Sequence, residues 1–153
     1  KRLSLPLNET LKYVQKIVMM SSRPIIISDD IVTDSAVRRL IYDAGDSIED
    51  LLTLCEADIT TKNLKKSIKY QNNFKIVRKK IEDVEERDSI RNFQPPVTGK
   101  IIMNHYNIKP CKEIGLIKEK IKNAILDGDI KNDYEEAFKL MLKIGKSMGL
   151  KDE

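Results

Sequence analysis

The chain has 153 residues, of which 41% are apolar, 34% charged and only 5% aromatic. That is enough for one domain or two small ones with a real core, in a helix-leaning composition. No apolar run approaches the roughly 18 residues of a membrane span, and the opening "KRLSLPLNETLKY" lacks the apolar centre of a signal peptide. Net charge is +4, from 28 basic and 24 acidic residues.

The first residue is Lys1 rather than methionine, as in a fragment or a processed product. Cys55 and Cys111 lie 56 residues apart, which fits neither a disulfide framework nor a zinc motif. A reduced, cytoplasmic setting is therefore expected.

Helical periodicity runs through almost the whole chain; "RPIIIS" is the one strand-like run, and it is short and proline-led. Asn8 caps a first helix with Leu11, Val14, Ile17 and Val18 on one face. Thr33 or Asp34 caps a second, with Ala36, Val37, Leu40, Ile41 and Ala44 inward and Gly45 as its stop. Asp46 and Glu49 form a D-x-x-E capping box for a third, whose stripe is Ile48, Leu51, Leu52, Cys55 and Ile59. A long fourth helix spans about Thr61 to Arg91, roughly 45 Å, with Leu64, Ile68, Phe74, Val77, Ile81 and Val84 as its stripe. A helix of that length with one thin stripe lies across its domain or reaches out of it.

"NFQPPVTG" breaks the pattern, because two prolines do not fit a helix interior. Three shorter helices follow. One starts near Thr98 and Gly99, and one carries Ile114, Ile117, Ile121, Ala124 and Ile125. The last is capped by Asn132 or Asp133 and carries Tyr134, Phe138, Met141, Leu142 and Met148, with Gly128 as the stop before it. The expectation is an all-α fold of about seven helices, in which one long charged helix links a four-helix part to a three-helix C-terminal part. The division is placed at 1–94 and 95–153.

The long helix is polarised in charge. From Lys62 to Lys80 there are eight basic residues and no acid, and from Glu82 to Asp88 there are five acids and one arginine. Lys62, Lys65, Lys66 and Lys69 share a face, as do Lys75, Arg78 and Lys79. Rows like these can follow a phosphate backbone and release counterions. Asn72 and Asn73 could add hydrogen bonds, and Tyr70 could stack on a base. The competing reading is a solvated charged face.

Catalytic constellations are sparse. The single histidine, His105 in "IIMNHYNIKP", has no nucleophile at a telling spacing and reads as a surface or helix-capping residue. "LDGDIKND" resembles a calcium loop but lacks its closing glutamate, and reads as a turn. No Walker loop and no G-x-G-x-x-G is present. In "LCEADITTKN", Asp58 falls at the edge of the buried stripe while Glu56 points away. A carboxylate there calls for a partner, with Lys62, Arg38 or Arg39 within reach.

Two long stretches carry a family resemblance. "VTDSAVRRLIYDAGDSIEDLLTLCEADITTKN" resembles the region after the HD motif in bacterial CCA-adding tRNA nucleotidyltransferases, of the poly(A) polymerase family. "RNFQPPVTGKIIMNHYNIKPCKEIGLIKEKIKNAILDGDIKNDYEEAFKLM" resembles that family's C-terminal pattern of a proline before T-G and a helix, a P-x-x-x-I-G step and a helix ending in D-G. Such enzymes transfer CMP and AMP from CTP and ATP, with Mg2+, to the tRNA 3′ end. They do so in a head domain with a G-G-x-x-R-D motif, which this sequence does not contain. The resemblance therefore implies the neck, body and tail portion: residues 1–94 as an HD-like helical region with the charged helix, and 95–153 as a small helical domain. It implies tRNA and the missing head as partners, no cofactor held by this portion, and no membrane. The implied RNA-binding residues are Lys62, Lys65, Lys66, Lys69, Lys75, Arg78 and Lys79.

An intact HD site in related proteins has the ligand pattern H…HD…D. Asp58 aligns with its last aspartate, but residues 1–104 contain no histidine, and Ser21 in "SSRP" stands where histidine is expected. The resemblance thus makes Asp58 a remnant ligand and implies that this portion is not catalytic by itself. A fragment of an HD-superfamily metal-dependent phosphohydrolase is the alternative, and a helical module for self-association is a third reading.

Overall fold

In the computed structural model, the described residues are 8–24, 33–59, 63–91 and 93–150. They form an all-α fold with no strand among them. Seven α-helices are described: α1 (Glu9–Met20), α2 (Asp34–Ala44), α3 (Ile48–Ala57), α4 (Leu64–Asp88), α5 (Gly99–Tyr106), α6 (Lys112–Asp127) and α7 (Tyr134–Ser147). The chain divides into two compact units, Lys1–Asn92 and Phe93–Glu153, so α1–α4 belong to the first and α5–α7 to the second. Most of "RPIIIS" lies outside the described residues.

The first unit is built on α2 and α3. Asn8 and Thr33 cap α1 and α2 by accepting from the backbone N–H groups of Thr10 and Ala36. Gly45 ends α2 at φ 56°, but the chain does not leave the helix for long. Residues Gly45–Ser47 make one 3-10 turn that runs straight into α3, and Ser47 offers no side-chain cap. The expected Asp46–Glu49 capping box is therefore not the start of α3. A capping box needs an extended N-cap residue, and here the backbone stays close to helical.

Val37, Leu40, Ile41 and Ala44 from α2, and Ile48, Leu51, Leu52 and Cys55 from α3, are all buried. Burying each large aliphatic side chain contributes about 1.5–3 kcal/mol. Helix α1 packs on both, burying Ile17 and Met20. Val18, expected inward, is 61% exposed, because the face that meets α2 and α3 runs through Ile17 and Met20 instead.

Helix α4 has 25 residues, about 37 Å. Asn63 caps its start by accepting from Lys66 N, and Ser89 ends it in the left-handed region. It packs along α2 and α3 through Phe74, Val77, Ile81 and Val84. Leu64 and Ile68, expected in the same stripe, are 74% and 49% exposed. No side chain from Leu64 to Asn73 is buried. At 100° per residue they fall on the outward side of the helix, beside Lys75 and Lys79, rather than in line with Phe74, Val77, Ile81 and Val84.

In the second unit, α6 packs on α5 and α7. Thr98 caps α5, Gly128 closes α6 at φ 83°, and Asp133 caps α7 by accepting from Glu136 N. The Glu136 carboxylate accepts in turn from Lys131 N at 2.6 Å, so the calcium-like stretch is one helix stop followed by the next helix start. The buried face of α7 is Ala137, Met141, Ile144 and Gly145, shifted from the expected stripe. Tyr134 stays half exposed and stacks on Phe138, with ring centroids 5.5 Å apart.

Candidate nucleic-acid interface

The eight basic residues of the long helix fall into two groups. Lys65, Lys66, Lys69, Lys75 and Lys79 are exposed. Arg78 and Lys80 are turned towards the body, and Lys62 lies outside the described residues. A helix advances 100° per residue, so Lys65, Lys69, Asn72, Lys75 and Lys79 occupy one broad outward arc, opposite the buried stripe. From Lys65 to Lys79 that arc is about 21 Å long. Lys66 shares the protruding half of the helix with Tyr70 and Asn73, which are half-buried.

Arg78 behaves unlike its lysine neighbours. Its guanidinium makes a fork with Glu56, donating at 2.8 and 3.2 Å, and also reaches Glu49 at 2.6 Å. Hydrogen bonds to Glu56, then to Glu49, hold it firmly in the charged state. Glu49 and Glu56 stand seven residues apart, two turns along one face of α3, and that spacing is the signal in the sequence that could have revealed the pairing. Arg78 thus fastens α4 to α3.

Lys80 fastens α4 to α2 through Asp34 at 2.6 Å. Arg87 also reaches Asp34 at 2.6 Å, and Arg38 bonds Asp88 at 2.7 Å. Hydrogen bonds from Lys80 and Arg87 hold the Asp34 carboxyl below its ordinary range, and those from Arg87 and Arg38 do the same for Asp88. Two ionic clusters therefore lock the second half of α4, and the first half carries all the exposed lysines but Lys79.

Asp58 stands at the C-cap of α3 and is exposed. The helix ends at Ala57, so Asp58 sits at the helix terminus rather than along the packed seam. The acid that faces the body is Glu56, which was expected to point away. Of the expected partners of Asp58, Arg38 is engaged with Asp88 and Asp34 instead. Among the described residues no three His, Cys, Asp or Glu side chains gather to hold a metal ion. Cys55, in the same helix, is buried and its thiol lies 3.0 Å from Ser21 O. Burial, with the nearby charges of Asp58 and Glu56, pushes this thiol up to about 11, so it stays protonated at neutral pH.

His105 lies in the last turn of α5, edge-on to Tyr106 and Phe138 at centroid distances of 4.8 and 5.3 Å. It helps pack the second unit. No helix among the described residues is long and apolar enough to cross a membrane.

No family model, curated protein or solved structure matches this chain.

Proposed function

We propose that this chain is the tRNA-binding helical portion of a CCA-adding tRNA nucleotidyltransferase. Its task is positional. Helix α4 offers phosphate contacts, and the packed body holds the acceptor end in register for CMP and AMP addition by a head that this sequence does not include. The ordered motif resemblance over residues 32–63 and 91–141 supports the family. The observation that carries RNA contact is the exposure of Lys65, Lys66, Lys69, Lys75 and Lys79 on α4. Contacts of this kind are independent of base sequence, as binding to all tRNAs requires.

The test is tRNA affinity measured at several salt concentrations. Affinity should fall steeply with salt, by a log–log slope of about 0.9 for each phosphate neutralised on a duplex. The variant K65E/K66E/K69E should bind at least tenfold more weakly at low salt and show a slope shallower by roughly 2–3. Unchanged affinity in that variant would remove α4 as the RNA-binding face.

A further inference from the structure

The outward arc of α4 does not stay basic. Beyond Lys79 the exposed residues on the same arc are Arg87, whose guanidinium is engaged by Asp34 and Asp88, and three acids, Glu82, Asp83 and Glu86. The acids begin about 4.5 Å further along the axis and end about 10 Å beyond Lys79. The change of sign thus falls within about one Debye length, roughly 8 Å at physiological salt, so screening does not blur it.

This arrangement runs against the helix's own electrostatics. A helix is stabilised by acids near its N-terminus and bases near its C-terminus. Helix α4 opens with Lys65 and Lys66 and no acid in its first turn, and its last turn holds Glu85, Glu86 and Asp88 with Arg87 as the one base. Fold stability accounts for part of the pattern: Asp88 holds Arg38, and Glu85 holds Arg91. It does not account for Glu82, Asp83 and Glu86, which face outward. Where a local rule is broken with no structural gain, function is the usual reason.

We infer that Glu82, Asp83 and Glu86 form an electrostatic boundary, ending the phosphate track at Lys79 and so setting where the RNA backbone leaves α4. The inference rests on the RNA-binding reading above. Side-chain charges and helix dipole act together: the N-terminal half attracts a polyanion and the C-terminal half turns it away. A strand lying along the lysines is thereby held in one register, because sliding towards the C-terminus brings phosphates over the acids.

The experiment uses the full chain and a poly(A)·poly(U) duplex as probe, since backbone tracking needs no particular sequence. Affinity is measured across a salt series for the wild type, E82Q/D83N/E86Q and E82K/D83K/E86K. A charge-matched control, E119K/D129K/E135K, alters three exposed acids of the second unit. Neutralising the boundary should raise affinity several-fold. The lysine variant should steepen the salt slope by about 2–3 beyond the wild type, as the track gains phosphate contacts. The control should change the slope by less than about 1. If boundary and control variants behave alike, net charge explains the effect and the boundary is refuted, while the RNA-binding reading stands on its own K65E/K66E/K69E arm. If the wild type does not bind RNA even at low salt, both ideas fall.

Discussion

Gly145 and Gly115 show how differently two helical glycines can be constrained. A Cβ on Gly145 would overlap the Tyr106 ring at its hydroxyl and Cζ. Tyr106 is buried there, and its hydroxyl donates to Met141 O at 3.3 Å. G145A should therefore destabilise the second unit by about 1–3 kcal/mol, despite the better helix propensity of alanine. A Cβ on Gly115 meets nothing, so G115A should stabilise α6 by up to about 1 kcal/mol. Thermal unfolding of the two variants checks both signs. Arg78 and Lys69 make a second instructive pair, one sequestered in ion pairs and the other exposed. R78A should cost roughly 0.5–1 kcal/mol of stability and leave RNA affinity within about twofold, whereas K69E should do the reverse. Paired unfolding and binding measurements separate these outcomes; an R78A variant with normal stability and lost binding would return Arg78 to the interface. Arg78 borders the buried stripe, four residues after Phe74 and three before Ile81, whereas Lys79 lies on the outward arc; the partners of Arg78 are contributed by another helix.

At the scale of elements, helix starts and stops were the most legible features. Asn8, Thr33, Thr98 and Asp133 all cap as side-chain acceptors, since capping depends on residues within one turn, whereas the long helix, expected from about Thr61, is capped by Asn63. The failures came where an element's neighbours decide. Leu64 and Ile68 fall outside the face of α4 that α2 and α3 cover, and the Asp46–Glu49 box is pre-empted by a 3-10 turn. The ionic clamp joining α4 to α2 was likewise invisible to periodicity, and it sets a pH dependence. Asp34 and Asp88 both ionise below their ordinary range when folded, so their contribution to stability is complete above the unfolded value near 4. It is lost as pH falls through the lower folded values. Melting temperature should thus decline from about pH 4 downward, and D34N should flatten that decline. An identical acid limb in D34N would mean that the clamp contributes little.

For the whole molecule, the all-α class and the two-unit organisation follow from elements whose stripes close on their own neighbours: α1 to α4 around Leu40, Ile48 and Leu51, and α5 to α7 around Ile102, Ile117 and Met141. The candidate interface was half legible. Charge counting found the basic helix, but only the packing separates lysines that face water from cations that fasten the helix down. The unburied first half of α4 has a further consequence. Its side chains are exposed or only half-buried, and short helical segments with little tertiary packing are marginal in water. Amide protons from 64 to 73 should therefore exchange with solvent deuterium well before those from 74 to 88, where Phe74, Val77, Ile81 and Val84 tie the helix to the core. Bound RNA should slow exchange selectively in the outer segment. A uniform exchange rate along α4 would show instead that the helix opens as one cooperative unit.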